Sequence, residues 1–572
     1  MMWNSVRTAQ GVRRLQGSSA RICGERMILR SLGLLSIACC VALSAIAQSS
    51  ESYHGLLTSR VRSGKLPASD RIKGYIEGGK LKISLRDAIL LTLESNSNIQ
   101  IQETQIENGK FNLLASFQPF DPLLTSNFTA ARASTPTSSQ LQGVGQTSSS
   151  TLNLLTQSAL VNYSQLFSTG TSITAGINGS RSSTNSQFLF LNPSYSTGLS
   201  LGFTQPLLRN FGHSVNTAQI RIARRALTES RFAFAAEVND TIQQVIGLYW
   251  NAVQARGALD VQQRAFKLAE ISYNRDKRSL ELGALPPLDI SRSESEVAAR
   301  RVEQIQAEYA WLQAEEALRL MIGADQDPQL KSISLELTES AQSNGDAEDV
   351  DFDQVLSLAM SARPEVSAAK DALAIDETSI RYAQNQLKPD LNLSGQYVSN
   401  GLGGNQYDLV TGQLTSQGGL GSSFSQLFGF GFPSYQGSLT LNFPVRNRGA
   451  QARLGGALVN RTRDLYSSRQ EEELIIRQVR DAVNQLRQAK LALAAANTSF
   501  DLAKKSLAAD QRKFELGAET NFFVLDSQER LAQAELIQLQ AQVNYQLAFA
   551  AIRHATGDLL TPYQMQLEAA SK

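Results

Sequence analysis

Cysteine is almost missing from this chain. Only Cys23, Cys39 and Cys40 occur in 572 residues, all near the start. With that segment removed, neither disulfides nor thiolate chemistry is available. Histidine is as scarce: His54, His213 and His554 are far apart and lack metal-ligand spacing. No G-x-S-x-G, P-loop, G-x-G-x-x-G or H-E-x-x-H motif occurs, so no catalytic constellation is legible and no cofactor is implied. Gly401-Leu402-Gly403-Gly404 lies in a Gly/Ser run, not at a strand-to-helix turn. Beyond the first 47 residues no apolar run reaches the length a membrane helix needs. That excludes a helical membrane protein but not a β-barrel, whose strands escape hydropathy windows.

Charge of one sign is also lacking. The chain is +2 overall, and residues 1–47 hold six Arg against one Glu, leaving about −3 for the remainder. That balance argues against a nucleic-acid binder. Residues 1–47 read as an export signal. Arg26 and Arg30 flank a possible internal start at Met27, an apolar stretch runs from Leu32 to Leu43, and Ala45-Ile46-Ala47 offers a cleavage site. Acylation at Cys39 or Cys40 is the alternative, with a poor lipobox before each. Residues 48–82 read as a loosely docked N-terminal arm.

What is present is a duplication. Leu85–Pro122 aligns without a gap to Phe352–Pro389: Ala88, Ile89, Leu91, Leu93 and Ile99 meet Val355, Leu356, Leu358, Met360 and Val366. Thr197–Gly212 recurs as Gly437–Gly449, and Ser279–Glu294 as Lys513–Gln528. A repeat this long, carrying its patterns in the same order, describes one structural unit used twice. The units are 83–323 and 352–558, joined by a polar linker, 324–351, and followed by a tail, 559–572.

Each unit opens with a helical pattern and then switches to period two. Strands are expected at about 122–132 and 196–206 in the first unit, and about 389–399 and 436–444 in the second. Leu199, Leu201 and Phe203 oppose Ser200, Gly202 and Thr204; Leu439, Leu441 and Phe443 oppose Ser438, Thr440 and Asn442. One apolar and one small polar face fits a sandwich or a membrane barrel. Within 133–194, Val161–Phe167 and Thr171–Ser180 are compatible with an additional hairpin around Ser168-Thr169-Gly170, which the pattern leaves open. The Gly/Ser-rich segments, including 400–435, read as loops at one end.

Long helices follow, expected at 216–282 and 450–516, with return helices at 288–322 and 523–557. Ala298, Val302, Ile305, Tyr309 and Leu312 keep a heptad step, as do Ile476, Val479, Val483, Leu486, Lys490 and Leu493. Ala532, Leu536, Leu539 and Val543 continue it. Thin apolar seams with polar outer faces suit a wall one helix thick. Leu282-Gly283-Ala284-Leu285-Pro286-Pro287 and Leu516-Gly517-Ala518-Glu519-Thr520-Asn521 are the turns between helices.

These turns, in register with the L-x-L-x-F strand exits and a following proline (Pro206, Pro444), resemble the outer-membrane efflux protein family, the TolC-type channels. The resemblance covers about residues 80–560. It implies an α+β membrane protein built as a tandem repeat. Each unit would give two transmembrane β-strands to a twelve-stranded barrel shared by a homotrimer, and long coiled-coil helices to a periplasmic α-barrel. It implies a place in the outer membrane, in contact with its lipid and extending into the periplasm. It also implies a periplasmic adaptor (membrane fusion protein) and an inner-membrane pump of RND or ABC type as partners, in efflux or type I secretion, with no enzymatic activity.

The family's gate maps onto the second tip. There Gly517 leads to Phe523 and Asp526 where the family often has two acids; in the first tip Gly283 leads to Asp289. Phe514 takes the place of a family aromatic that is often a hydroxyl-bearing Tyr. Phe523 and Asp526 would ring the pore constriction, though packing between helices and a solvated helical Asp are the plain alternatives. Leu282, Gly283, Ala284, Leu516, Gly517 and Ala518 would be the adaptor-docking tips, with helix capping as the plain reading of the glycines. The competing functions are a soluble periplasmic coiled-coil adaptor, which carries one hairpin rather than two, and a secreted β-helix enzyme.

Overall fold

The computed structural model describes residues 70–137, 151–186, 189–283, 287–326, 330, 333–341 and 350–559. The export signal, the arm up to residue 69, Ala284 and most of the tail lie outside these residues. The first unit runs β1 (Ile76–Glu77), β2 (Lys80–Ile83), α1 (Leu85–Ser95), α2 (Ser97–Ala115), β3 (Leu123–Pro136), β4 (Thr151–Leu166), β5 (Ser172–Thr184), β6 (Leu191–Pro206), α3 (Ala218–Glu281), α4 (Pro287–Met321) and β7 (Ser334–Leu337). The second runs α5 (Phe352–Ala362), α6 (Pro364–Gln386), β8 (Asp390–Tyr407), β9 (Leu414–Ser416), α7 (Leu420–Phe428), β10 (Pro433–Asn442), α8 (Arg448–Glu515) and α9 (Asn521–Thr556).

The duplicated helices break at the same place by different chemistry. Ser84 opens α1 through a capping box with Asp87. Asn96 then ends α1 and caps α2, accepting from the Asn98 N–H at 2.8 Å. At the equivalent place Arg363 stands with Pro364 at the first helical position, where a missing N–H costs nothing. The Arg363 guanidinium is buried and pairs with Glu365 at 3.0 Å.

Helix α3 has 64 residues and α8 has 68. At about 1.5 Å per residue each is roughly 100 Å long. Core packing is shared along this length. One cluster joins Ile83, Ile89, Leu91, Ile242, Ile246, Tyr249, Leu318 and Ile322; the other joins Ala359, Ile475, Val479, Val483, Leu486 and Leu493. The seam of α8 is therefore buried within the chain. The seam of α4 is not: Val302, Ile305, Tyr309 and Leu312 are all exposed. Their heptad spacing is present, but no element among the described residues covers them.

The structure corrects the reading of the arm and the linker. Within the expected loose arm, Ile72 and Leu81 are buried, as is Ile83 just after it. Within the expected polar linker, β7 pairs in parallel with β2, Leu81 facing Leu335. With β1 they form a three-stranded sheet over the first core cluster. Tyr249 fastens the end of its central strand, donating to the Ile83 carbonyl at 3.3 Å. Burial pushes the Tyr249 phenol up to about 12. Leu559, placed in the tail, is also buried.

The large sheet is antiparallel, in the order β10-β8-β6-β5-β4-β3, with β9 beside β8. The first unit thus carries four long strands rather than two, and β4 and β5 form the hairpin that the sequence pattern left open. The segment 400–435, expected as loop, holds β9 and α7. Helix α7 lies against the sheet: Thr197 and Ser399 hydroxyls donate to the Ser423 and Leu427 carbonyls. Gly401 permits that approach, since a Cβ there would meet the Ser423 carbonyl.

Ile242→Ala is expected to lower folding stability by about 2–5 kcal/mol, the range for a large apolar truncation in a packed core. The temperature of helix loss in circular dichroism should fall. Ile537→Ala, at an exposed position, should leave it unchanged.

Candidate gate, docking tips and membrane face

Both helical tips end in the same backbone device. In the second tip the Gly517 N–H donates to the Phe514 carbonyl at 3.0 Å and the Ala518 N–H to the Lys513 carbonyl at 2.9 Å. This is a Schellman closure, with Gly517 at φ +74. In the first tip the Gly283 N–H donates to the Leu280 carbonyl at 2.9 Å, with Gly283 at φ +71. The glycines are therefore required by the turn itself. Capping does not explain the leucines. Leu282 is 84% exposed and Leu516 76% exposed, though each is large and apolar.

Behind the tips sits a pair of matched clamps that sequence reasoning missed. The Ser293 hydroxyl donates across the first hairpin to Asp276, and Ser527 across the second to Asp510. Both pairs are 17 residues apart and occupy corresponding places in the duplication. The Ser527 hydrogen bond holds the Asp510 carboxyl below the usual carboxylate range, with Lys513 helping. Lys513 in turn pairs with Glu519 at 2.7 Å, which, with Asp510, raises its own pKa.

The two hairpins are tied to each other through Asp276, which is almost wholly buried. Asn521, the first residue of α9, donates to Asp276 Oδ2 at 2.8 Å. Arg275 donates to Asn521 Oδ1, and its guanidinium lies 4.7 Å from the centre of the Phe514 ring. Phe514 thus links the helices through its π face. Higher up, the buried Arg300 of α4 binds Glu296 and Glu303 at 2.7 and 2.8 Å and reaches Glu529 of α9 at 3.4 Å. Arg264 of α3 reaches Glu535 of α9 at 2.6 Å.

The expected gate residues are only partly brought together. Phe523 is half-exposed and meets Phe522 edge-on at 5.4 Å, while Phe522 lies under Arg292. Asp526 sits one helical turn further on, partly exposed, paired with Arg530 at 2.8 Å. The Asp289 side chain lies outside the described residues. No group of His, Cys, Asp and Glu that could hold a metal occurs among the described residues.

At the opposite end, the register of the large sheet sorts its two faces. Residues directly paired across strands share a face. Leu124, Tyr163, Ala175, Leu201, Tyr397 and Tyr435 form one row through six strands. Leu393 pairs with Leu439 and Leu391 with Leu441 on that same face. The row on the other face reads Thr125, Asn162, Gly176, Ser200, Val398 and Ser434. On the apolar face Leu124, Phe128, Ile173, Leu201, Phe203, Leu393, Leu439 and Leu441 are all exposed. No helix among the described residues is long and apolar enough to cross a membrane.

The family model described as outer membrane efflux protein matches residues 171–324 and 355–558. The chain belongs to the outer membrane efflux protein family. Protein CyaE of Bordetella pertussis is 26% identical over 190 residues, 33% of this chain and 39% of that protein. The chain thus matches well under half the length of this curated relative. The Neisseria gonorrhoeae MtrE outer membrane channel in its open state has a TM-score of 0.55 at 18% identity, over 83% of this chain and 89% of MtrE. The Campylobacter jejuni CmeC outer membrane channel gives 0.56 at 14%, over 83% and 86%. Both share the fold. As an outer membrane efflux protein, the chain has the tandem-repeat helix-and-sheet fold of TolC-type channels.

Since the Asp510 pKa is depressed, its contribution to the second tip is present above the ordinary carboxylate range and is lost as pH falls through the lower, folded value. A spin label at position 516 is expected to stay restrained as pH falls through the ordinary carboxylate range and to loosen only below it. Asp510→Ala should loosen it already at pH 7, as read by electron paramagnetic resonance.

Proposed function

We propose that this protein is the exit duct of a tripartite efflux or type I secretion system: a homotrimer spanning the outer membrane and extending through the periplasm. The observation that carries this is the large sheet, whose exposed face is a field of Leu, Ile, Phe and Tyr. In water such a face is a liability; against lipid it is the expected girdle of a membrane barrel. The exposed α4 seam of Val302, Ile305, Tyr309 and Leu312 fits burial against another copy. Family members are trimeric channels working with adaptor and pump partners, which fits both surfaces. Two long hairpins and six long strands disfavour the soluble adaptor reading.

In this reading cargo moves passively, with energy supplied by an inner-membrane pump. The tips meet the hairpin of a periplasmic adaptor through Leu282 and Leu516, flanked by Gly283, Ala284, Gly517 and Ala518. The Arg275–Phe514 contact and the Asp276–Asn521 hydrogen bond hold the two hairpins of each subunit together, which keeps the tip narrow. Three copies of Asp526 around the axis attract cations, and three of Phe523 form an apolar ring that closes by dewetting. Arg530 offsets part of the Asp526 charge and so moderates the cation site.

Planar-bilayer recording of the trimer extracted from outer membranes tests this. The wild type is expected to give small, long-lived channels. Arg275→Ala should raise single-channel conductance several-fold. Asp526→Ala should change conductance little and weaken block by multivalent cations. A monomeric, water-soluble product with no channel activity would sink the proposal.

A further inference from the structure

The β4–β5 hairpin changes the wall that such a duct would build. Two long strands per unit give four per chain, but here β4 and β5 stand in the sheet between β3 and β6. They pair along their whole length on both sides: Leu123–Pro136 with Thr151–Ser164, and Ser172–Ser182 with Ser194–Thr204. A hairpin lying inside a lumen as a plug would leave β3 paired to β6, which it does not.

The faces of the hairpin point the same way. On the apolar side it presents Val161, Tyr163, Ile173 and Ile177, in line with Leu199, Leu201 and Phe203 of β6. On the other it presents Ser158, Asn162, Thr174 and Ser180, in line with Ser196, Gly198 and Gly202. Side chains cross-link the polar side strand to strand: Ser180 with Ser196 at 2.6 Å, Thr204 with Ser394 at 3.1 Å. The turn is built into the frame too. The Gly212 N–H, at the head of the long helix, donates to the Thr169 carbonyl at 3.1 Å. Gly170, at φ +91, lies so close to the Asn210 carbonyl that no side chain fits there.

We propose that β4 and β5 are full wall strands, so that the trimer closes an eighteen-stranded barrel. This rests on the trimeric duct proposed above. A hairpin is the smallest insertion that keeps the wall antiparallel throughout. With six strands, β10 and β3 still run oppositely, and β10 of one copy continues onto β3 of the next. Barrel diameter grows about linearly with strand number, so the pore at membrane level is about half as wide again as with twelve strands. At ~4.8 Å between strands and ~40° of tilt, that is a backbone diameter of roughly 36 Å against roughly 24 Å. The lumen face is hydroxyl, amide and glycine with scattered aliphatics. Its one charged strand residue is Asp390 at the end nearest the helices, paired with Arg209 at 2.6 Å. The membrane segment thus supplies width without charge preference, and sorting by charge falls to the tips.

Single cysteines on the outer-membrane trimer test this. Val161→Cys and Ile177→Cys should react with a lipid-dissolved maleimide and resist a membrane-impermeant one. Asn162→Cys and Asn178→Cys should do the reverse. Aqueous labelling of all four would put the hairpin in the lumen and overturn the proposal. Counting wall strands in an electron-microscopy map of the wild-type trimer in lipid nanodiscs decides it without any substitution: eighteen supports it, twelve overturns it. Absence of a trimer in the membrane would instead overturn the duct reading.

Discussion

Hydrocarbon offers no partner for a backbone N–H or C=O, so a sheet in lipid cannot keep a free edge. The large sheet has two. Strands β3 and β10 each pair on one side only, and every residue of both is exposed. Each unpaired group would cost kilocalories in lipid, and in water the same edges would template aggregation. Joining edge to edge with further copies removes both problems. The demand reappears lower down, where the α4 seam is uncovered. In the proposed trimer the chain is one segment of a ring, and its least explicable surfaces taken alone are those that the ring would cover.

Duplication supplies the parts and divergence makes them different. The clamps Asp276–Ser293 and Asp510–Ser527 are the same hydrogen bond inherited twice. Only Asp276 also accepts from Asn521, and only the first hairpin carries an arginine, Arg275, over Phe514 of the second hairpin. The inherited bonds brace each hairpin alone. The acquired ones run between hairpins, where they can resist a movement of one against the other. The strands diverged likewise, since the added hairpin is in the first unit only.

Much of this was legible in the sequence. Alternation over long stretches marked β3, β6, β8 and β10, because a period of two survives any change of partner. The heptads marked the long helices. Strands β2 and β7 were not legible: four residues each, some 250 apart, are too few to show a period, and their parallel pairing has no local signal. The β4–β5 hairpin stayed ambiguous because lumen-facing strand residues and loop residues share a Ser/Thr/Gly/Asn composition. Nothing in the sequence sets Arg275 and Asp276 apart from the other charged residues of the long helix. Only the approach of the second hairpin, with Phe514 near the end of α8 and Asn521 at the start of α9, makes one a π-stacked cation and the other a buried acceptor. Phe514, noted for its missing hydroxyl, bridges the helices through its ring instead.

The distribution of charge follows from the same physics. A barrel wall must place polar atoms inward, yet an ionised group there would need a partner or water along the whole passage. Ser, Thr, Asn and Gln keep the lumen wetted at no such cost and hydrogen-bond across strands, stiffening the wall. In the proposed duct the helical tunnel has no lipid outside it, so the ion pairs of Arg300 with Glu529 and Arg264 with Glu535 can tie helix to helix. Opening such a tip means exchanging those bonds for water, an equilibrium that a docking partner can bias. The strand wall, whose backbone bonds have no such alternative in lipid, cannot be biased in that way. In the proposed duct, regulation therefore belongs at the helical end, and the membrane end is left to set only the bore.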